Sequence, residues 1–202
     1  MRMVNFGSGN ICPDGWISLD WSLSALLAKF PYFYQIKKIL FKLNFISKNI
    51  LDAKWPKNIT IWDMRWGVPF AKESVDITYA SHFLEHLPKD KALRFLKRCH
   101  DILKTGGIIR LVVPDIDIIF NKYNKYISID PIIATNELNL RLFEEGQHKH
   151  MYNYSTLSKT LSDIGFKKIK KLNFRKSAIA DIKKLETPKL KYYTSLYIEA
   201  IK

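Results

Sequence analysis

Apolar and polar positions change period repeatedly along the chain, and the changes mark out its elements. Met3–Phe6 is a short apolar strand, and Trp16–Asp20 is a second that ends on a carboxylate. Residues 22–50 take a helical period, interrupted at Pro31. Ile36, Ile39, Leu40, Leu43 and Ile50 form one apolar stripe there, with Lys37, Lys38, Lys42 and Lys48 largely off it. Asn58–Asp63 and Val75–Ala80 predict a third and a fourth strand. Lys89–Lys104 predicts an amphipathic helix stopped by Thr105-Gly106-Gly107. Ile108–Val113 reads as a strand buried on both faces. Residues 116–145 are mostly helical, and Ser155–Ile164 is a helix with Ser155 as its cap and Gly165 beyond its end. Phe166–Phe174 and Tyr192–Ile201 alternate as the last two strands.

Strands alternating with helices imply an α/β fold with a largely parallel sheet and helices on both faces, the last two strands pairing antiparallel. There is no repeat, low-complexity tract or linker. The pattern predicts one domain over residues 1–202, with 21–57 as a helical insertion or lid.

Composition narrows the class. The chain has 202 residues, 47% of them apolar, enough for one α/β core. No apolar run approaches the roughly 18 residues of a spanning helix. Met1-Arg2-Met3-Val4 runs straight into a Gly-rich turn, so no secretory leader is expected. Cys12 and Cys99 lie far apart without metal-ligand spacing, which predicts a cytoplasmic protein with free thiols. The net charge of +14 sits in two blocks, residues 29–57 and 167–191. Such blocks suit nucleic acid, a phospholipid surface or a phosphorylated substrate, or are simply the solvated faces of a Lys-rich chain.

Candidate chemistry begins at Gly7-Ser8-Gly9, where glycines let backbone approach a ligand at the carboxyl ends of parallel strands. The dinucleotide fingerprint needs a third small residue where Cys12 stands, and a following helix for which Asn10–Gly15 leaves no room. Both points argue against a nicotinamide cofactor. Asp20 ends strand two, where a carboxylate can accept both hydroxyls of a ribose. Asp63, beside Met64, ends strand three, where it can accept from an adenine amino group. Ser81-His82 follow strand four.

These stretches resemble the class I S-adenosylmethionine-dependent methyltransferases, in the group with an S-x-x-LEH signature. The matching residues are Val4–Asn10, Gly15–Asp20, Val68-Pro69-Phe70, Ser74–Leu87, Leu103–Gly107 and Val112–Asp115, with Tyr154 to Gly165-Phe166 as the late helix. The resemblance implies a Rossmann-like seven-stranded sheet in the order 3-2-1-4-5-7-6, strand seven antiparallel. It assigns S-adenosyl-L-methionine to Asn5, Gly7, Ser8, Gly9, Asp20, Trp21, Asp63, Met64, Ser81 and His82. This chain departs from the family at Asn5, where many members are acidic, at Asn10 in place of a third glycine, and in the near absence of a helix after the Gly loop.

Methyl transfer needs a nucleophile held in line with the S–CH₃ bond, and an oxygen nucleophile gains from a general base. His82, His148 and His150 are the candidates, His82 favoured by position. His100, inside a helix, reads as structural. His82-Phe83-Leu84-Glu85-His86 also spells the H-x-x-E-H zinc-protease pattern, with Glu144 or Glu145 as a third ligand. The resemblance explains Leu84-Glu85-His86 without metal, so no resident metal is predicted. The acceptor is expected to be read by residues 21–57 and 116–155, where Trp21, Phe30, Tyr32, Phe33, Tyr34, Tyr123, Tyr126, Tyr152 and Tyr154 crowd. Relatives of this kind often serve bacterial surface-polysaccharide pathways. By that analogy the expected reaction is O-methylation of a saccharide or glycan precursor, with the 36–48 stripe docking on the anionic inner face of the membrane. The alternatives are an RNA methyltransferase and a non-catalytic cofactor-binding subunit.

Overall fold

A computed structural model describes residues 1–28, 32–52, 55–188 and 194–202. Seven strands form one sheet: β1 (Met3–Phe6), β2 (Trp16–Asp20), β3 (Thr60–Ile61), β4 (Val75–Ser81), β5 (Leu103–Pro114), β6 (Lys167–Leu172) and β7 (Ser195–Ile201). Their order is β3-β2-β1-β4-β5-β7-β6. The first five are parallel neighbours, and β7 runs antiparallel to both β5 and β6. This is the predicted Rossmann-like order. Helices α1 (Leu23–Ala28), α2 (Phe33–Lys42) and α3 (Lys48–Asp52) lie between β2 and β3. Helices α4 (Lys89–Ile102), α5 (Ile116–Tyr126), α6 (Pro131–Phe143), α7 (Tyr154–Ile164) and α8 (Ile182–Leu185) follow.

Side-chain alternation splits the core into two layers. Val4, Phe6, Ile109, Leu111, Val113, Leu196 and Ile198 face the layer that α4 and α7 close with Phe95, Leu96, Leu157 and Leu161. Met3, Trp16, Ile77, Tyr79, Val112 and Tyr197 face the other, closed by Ile179, Ile182 and Leu185. That second closure has a local cause. Parallel strands are usually joined by a crossover of a dozen or more residues, mostly a helix. Here only the segment 7–15 joins β1 to β2, turning on Gly7, Gly9 and Gly15 at φ +60°, +53° and +86°. With no helix there, the C-terminal segment around α8 covers that face of the sheet.

The structure differs from the sequence reading at several points. Thr105-Gly106-Gly107 does not stop a helix: α4 ends at Ile102 and β5 begins at once, the glycines lying inside it. A Cβ on Gly107 would sit 2.8 Å from the Lys104 carbonyl, so only glycine lets the strand pass there. Asn153, not Ser155, caps α7, in a capping box with Thr156. The third strand shrinks to Thr60–Ile61. The stripe on α2 is also rearranged. Lys37 is turned inward at 2% exposure, while Ile39 and Leu43 are 58% and 59% exposed and Phe45, beyond the helix end, 73%. Phe30 and Tyr192 lie outside the described residues, as do the side chains of Phe33, Ile50 and Glu145.

Ile108–Val113 is buried on both faces as expected, yet its middle residue is Arg110, wholly buried. Its Nε donates to Glu186 Oε1 at 2.6 Å and its Nη1 to Glu199 Oε1 at 3.1 Å. Nη1 also donates to the Lys176 carbonyl at 3.1 Å and Nη2 to that of Asn173 at 3.2 Å. Glu199 also accepts from the Ala178 amide and the Ser177 hydroxyl, and Glu186 from the Arg175 amide. Arg110 thus ties β5, β7 and the covering segment together. At the sheet's outer edge, β6 presents Lys167, Lys168, Lys170 and Lys171, all exposed.

Replacing Arg110 by Ala leaves two buried carboxylates unpaired. A loss of about 3–5 kcal/mol in stability is expected, measured by chemical denaturation.

Candidate functional site

Two segments meet at the carboxyl ends of β1 and β4, where chain connections leave in opposite directions, the usual ligand position in such sheets. A cleft of about 160 Å³ lies there, lined by Asn5, Gly7, Ser8, Gly9, Asn10 and Ile11 from the first turn, Ser81 and His82 after β4, and Leu185 of α8. The turn is braced from within. Asn5 Nδ2 donates to the Ile11 carbonyl at 3.0 Å, which gives this position a structural task an acid could not perform. Asp20 accepts from the Gly9 amide at 2.9 Å and from the Ser22 amide at 2.7 Å, one on each oxygen. A carboxylate oxygen has two lone pairs, so each keeps one for a ligand hydroxyl. A Cβ on Gly7 would come within 2.5 Å of the Phe83 ring, whereas one on Gly9 would meet nothing. Gly7 is required by packing, and Gly9 leaves its face bare for a ligand.

Most of the predicted cofactor residues converge. Asn5, Gly7, Ser8, Gly9, Ser81 and His82 line the cleft, and Asp20 stands behind it through Gly9. The Trp62 amide donates to the Asp20 carbonyl at 3.1 Å, which sets Asp63 at the neighbouring strand end. Trp21 is half exposed beside Asp20. Met64 goes elsewhere: it packs against the core and lines a groove with Trp66, Val68, Leu87 and Phe95. A whole-ligand pocket runs to about 300–1,000 Å³. The cleft is therefore large enough for only one end of an elongated ligand, with Asp20 and Asp63 at the next two strand ends.

His82 forms the far wall. Its backbone is left-handed, at φ +49°, a costly geometry of the kind that clusters at functional sites. Its amide donates to the Val112 carbonyl at 2.9 Å. Its Nδ1 lies 3.1 Å from Glu85 Oε1, and its Nε2 lies 3.1 Å from the Ser195 hydroxyl. The ring is thus held between a buried carboxylate and a hydroxyl. The other two candidate bases are placed differently. His148 has Nδ1 3.1 Å from the Arg141 carbonyl and Nε2 2.5 Å from Glu144 Oε2, with its ring 5.1 Å from that of His86. His150 turns away from the cleft, packing edge-on to Tyr152 and lining a hollow with Lys89, Ala92 and Leu96. Only its backbone approaches the cluster, the amides of Lys149 and His150 donating to the Glu85 carbonyl. His100 packs against Phe166, as the structural reading expects.

The H-x-x-E-H stretch does not form the helix that a zinc protease uses. His82 is left-handed, and Leu84–His86 is a single 3₁₀ turn, so the two histidines do not share a helical face. Sequence reasoning missed Ser195 and Leu185, which reach the site only through tertiary packing, and gave Phe83 no role although it lies inside the Ser74–Leu87 stretch. It placed Glu85 only in the family signature and in the zinc-protease pattern. A second cavity, of about 500 Å³, lies between α5 and α6. Tyr123, Tyr126, Lys122, Glu137 and Arg141 line it, and it ends at Thr194, next to Ser195.

Comparison with known proteins is consistent with this geometry. A family model described as a methyltransferase domain matches residues 43–111, a stretch that includes β4, the Ser81–His86 turn and most of β5 but not the Gly loop. No curated protein matches the chain in sequence. Among solved structures, an S-adenosylmethionine-dependent methyltransferase from Archaeoglobus fulgidus superposes with a TM-score of 0.56 at 18% identity, over 100% of this chain and 86% of that one. One from Methanosarcina mazei gives 0.51 at 17% identity, over 100% and 92%. A Thermotoga maritima protein described as a possible histamine N-methyltransferase gives 0.52 at 16%, over 100% and 82%. At these identities the likeness establishes the fold.

Burial, and then Lys89, lower the pKa of His150 below its ordinary value. Its titration by NMR is expected to have a midpoint below the usual ~6.5. Because the folded value is depressed, the stability it contributes is present above the unfolded pKa and is lost as pH falls through the folded one. A His150→Gln variant is expected to show a shallower loss of stability over that acid range.

Proposed function

We propose that this chain is an S-adenosylmethionine-dependent methyltransferase that methylates a hydroxyl oxygen of a saccharide or glycan precursor, with His82 as general base. The bound cofactor supplies a methyl group on a sulfonium, already activated for in-line displacement. The chain's own residues do the rest. Gly7–Gly9 receive the methionine end, Asp20 accepts from the ribose with its free lone pairs, and Asp63 faces the adenine side. His82 takes the acceptor proton at Nε2, and Glu85 at Nδ1 steadies the imidazolium that forms. The observation that carries this reading is the His82 ring, which lines the cofactor cleft while its Nε2 meets Ser195 at 3.1 Å. Ser195 adjoins the α5–α6 cavity, whose tyrosines and charged rim suit a sugar ring and its hydroxyls.

The basic blocks bear on the alternatives. Lysines 167–171 stand on the sheet's edge strand, where charge serves to block unwanted pairing, and Lys171 is bonded to Asp115. Four of the ten cations in that basic block thus have a structural task, which weakens the RNA reading. The 36–48 segment reads differently: Ile39, Phe41, Leu43 and Phe45 are exposed together, with Lys38 and Lys42 exposed among them. We read this as an interfacial face for anionic lipid rather than the purely basic stripe expected from sequence. No helix among the described residues is long and apolar enough to cross a membrane.

Three measurements test these assignments. Calorimetry should give stoichiometric S-adenosylmethionine binding, weakened about 10–100-fold in Asp20→Ala through loss of a charged hydrogen-bond acceptor. Mass spectrometry over cell-envelope glycans, nucleotide sugars and RNA should find O-methylated saccharide, with turnover about 10²–10⁴-fold lower in His82→Ala. Cofactor binding with no product in any pool would instead favour a non-catalytic subunit. Sedimentation with phosphatidylglycerol vesicles should lose the protein when Ile39, Leu43 and Phe45 become Ser, and weaken when Lys38, Lys42 and Lys48 become Gln. Unchanged binding in both sets would rule out this face.

A further inference from the structure

Glu85, His86 and His148 each offer a ligand atom, and these atoms all lie within 4.8 Å of one another. We propose that they form a binding site for a first-row divalent transition-metal ion, next to His82 and the cofactor cleft. Donors in a tetrahedral set around such an ion stand roughly 3.4 Å apart, so closing onto it needs shifts of about an ångström.

Three features point to a cation. Glu85 is 0% exposed, and neither of its carboxylate oxygens accepts an aligned hydrogen bond among the described residues. The approach of His82 Nδ1 to Oε1 engages one oxygen only. A buried carboxylate so placed is costly unless a positive charge compensates it. Both histidines, moreover, are held as ligands. His86 Nδ1 lies 3.3 Å from the Gln147 carbonyl, and His148 Nδ1 lies 3.1 Å from the Arg141 carbonyl. A carbonyl can only accept, so each Nδ1 carries a proton and Nε2 is the ring atom left for a metal, the arrangement that orients metal-bound histidines. Finally, His148 Nε2 is buried without an aligned hydrogen bond, yet faces Glu144 Oε2 at 2.5 Å. Two acceptors this close need a proton or a cation between them. Glu144 is half exposed and held at φ +40°, available as a fourth donor.

Two imidazoles and a carboxylate suit zinc, cobalt, iron or manganese rather than magnesium or calcium. Where Glu144 stays off the ion, or the ion takes more than four ligands, a position would be open to an oxygen ligand. This role, unlike the site itself, rests on the O-methylation reading: an acceptor hydroxyl bound there would lose its proton more readily, with His82 beside it to take that proton.

The test uses the full chain after chelator treatment and dialysis. Titration calorimetry with Zn²⁺, Mn²⁺ and Co²⁺ should show one tight equivalent for at least one ion, and bound Co²⁺ should develop the visible absorption of a nitrogen-ligated site. His86→Gln and His148→Gln should each weaken binding by 30-fold or more. Glu85→Gln, which keeps the shape of the side chain, should weaken it at least tenfold. Circular dichroism and melting in the absence of metal establish that each variant is folded. If Glu85→Gln does not fold, the two histidine variants decide. The proposal is overturned if the folded wild type binds none of the three ions stoichiometrically, or if binding is unchanged in His86→Gln and His148→Gln. Because this binding is measured without cofactor or acceptor, it stands or falls separately from the saccharide assignment.

Discussion

A buried arginine holds the molecule's unusual half together. Arg110 sits in the middle of β5, where a helix-covered strand should carry only apolar side chains, and it is compensated by Glu199 from β7 and Glu186 from the covering segment. Such a cluster adds little net stability compared with an apolar core of the same volume, but it is unforgiving of losing one member. What it supplies here is location. The carbonyls of Asn173 and Lys176 and the amides of Arg175 and Ala178 are all drawn to the same three side chains. An irregular segment is thereby fixed over the sheet with one register.

That fixation matters because the turn from β1 to β2 brings no helix of its own. The face of Met3, Trp16 and Tyr79 would be bare without Ile179, Ile182 and Leu185. Leu185 also completes the wall of the cleft opposite His82. The shape of the cleft therefore depends on residues more than a hundred positions away in sequence, through the Arg110 cluster.

Strands and helices were legible where the period was clean: Met3–Phe6, Trp16–Asp20 and the α4 and α7 segments stand where alternation or helical spacing puts them. The sheet order came through the resemblance, since no local pattern encodes which strands are neighbours. Arg110 was hidden because a single charge within Ile108–Val113 does not break an apolar run, and its partners lie 76 and 89 residues on. Lys37 was hidden because periodicity ranks faces by composition and cannot foresee an inward lysine beside outward Ile39 and Leu43. In the candidate site, Gly7, Gly9, Asp20 and His82 were readable as strand-end residues. Ser195 was not, since it reaches His82 across a separation of 113 residues. His148 and His150 look alike in sequence. Backbone direction alone sends one ring toward Glu144 and the other toward Tyr152.

The two ends of the sheet carry one more implication. One margin is β3, only Thr60–Ile61, and the other is β6 with its row of outward lysines. A second copy of the chain finds two rungs to pair with on one side and a like-charged rail on the other. Growth of the sheet from molecule to molecule, the common route to fibrous aggregates, is therefore disfavoured at both margins.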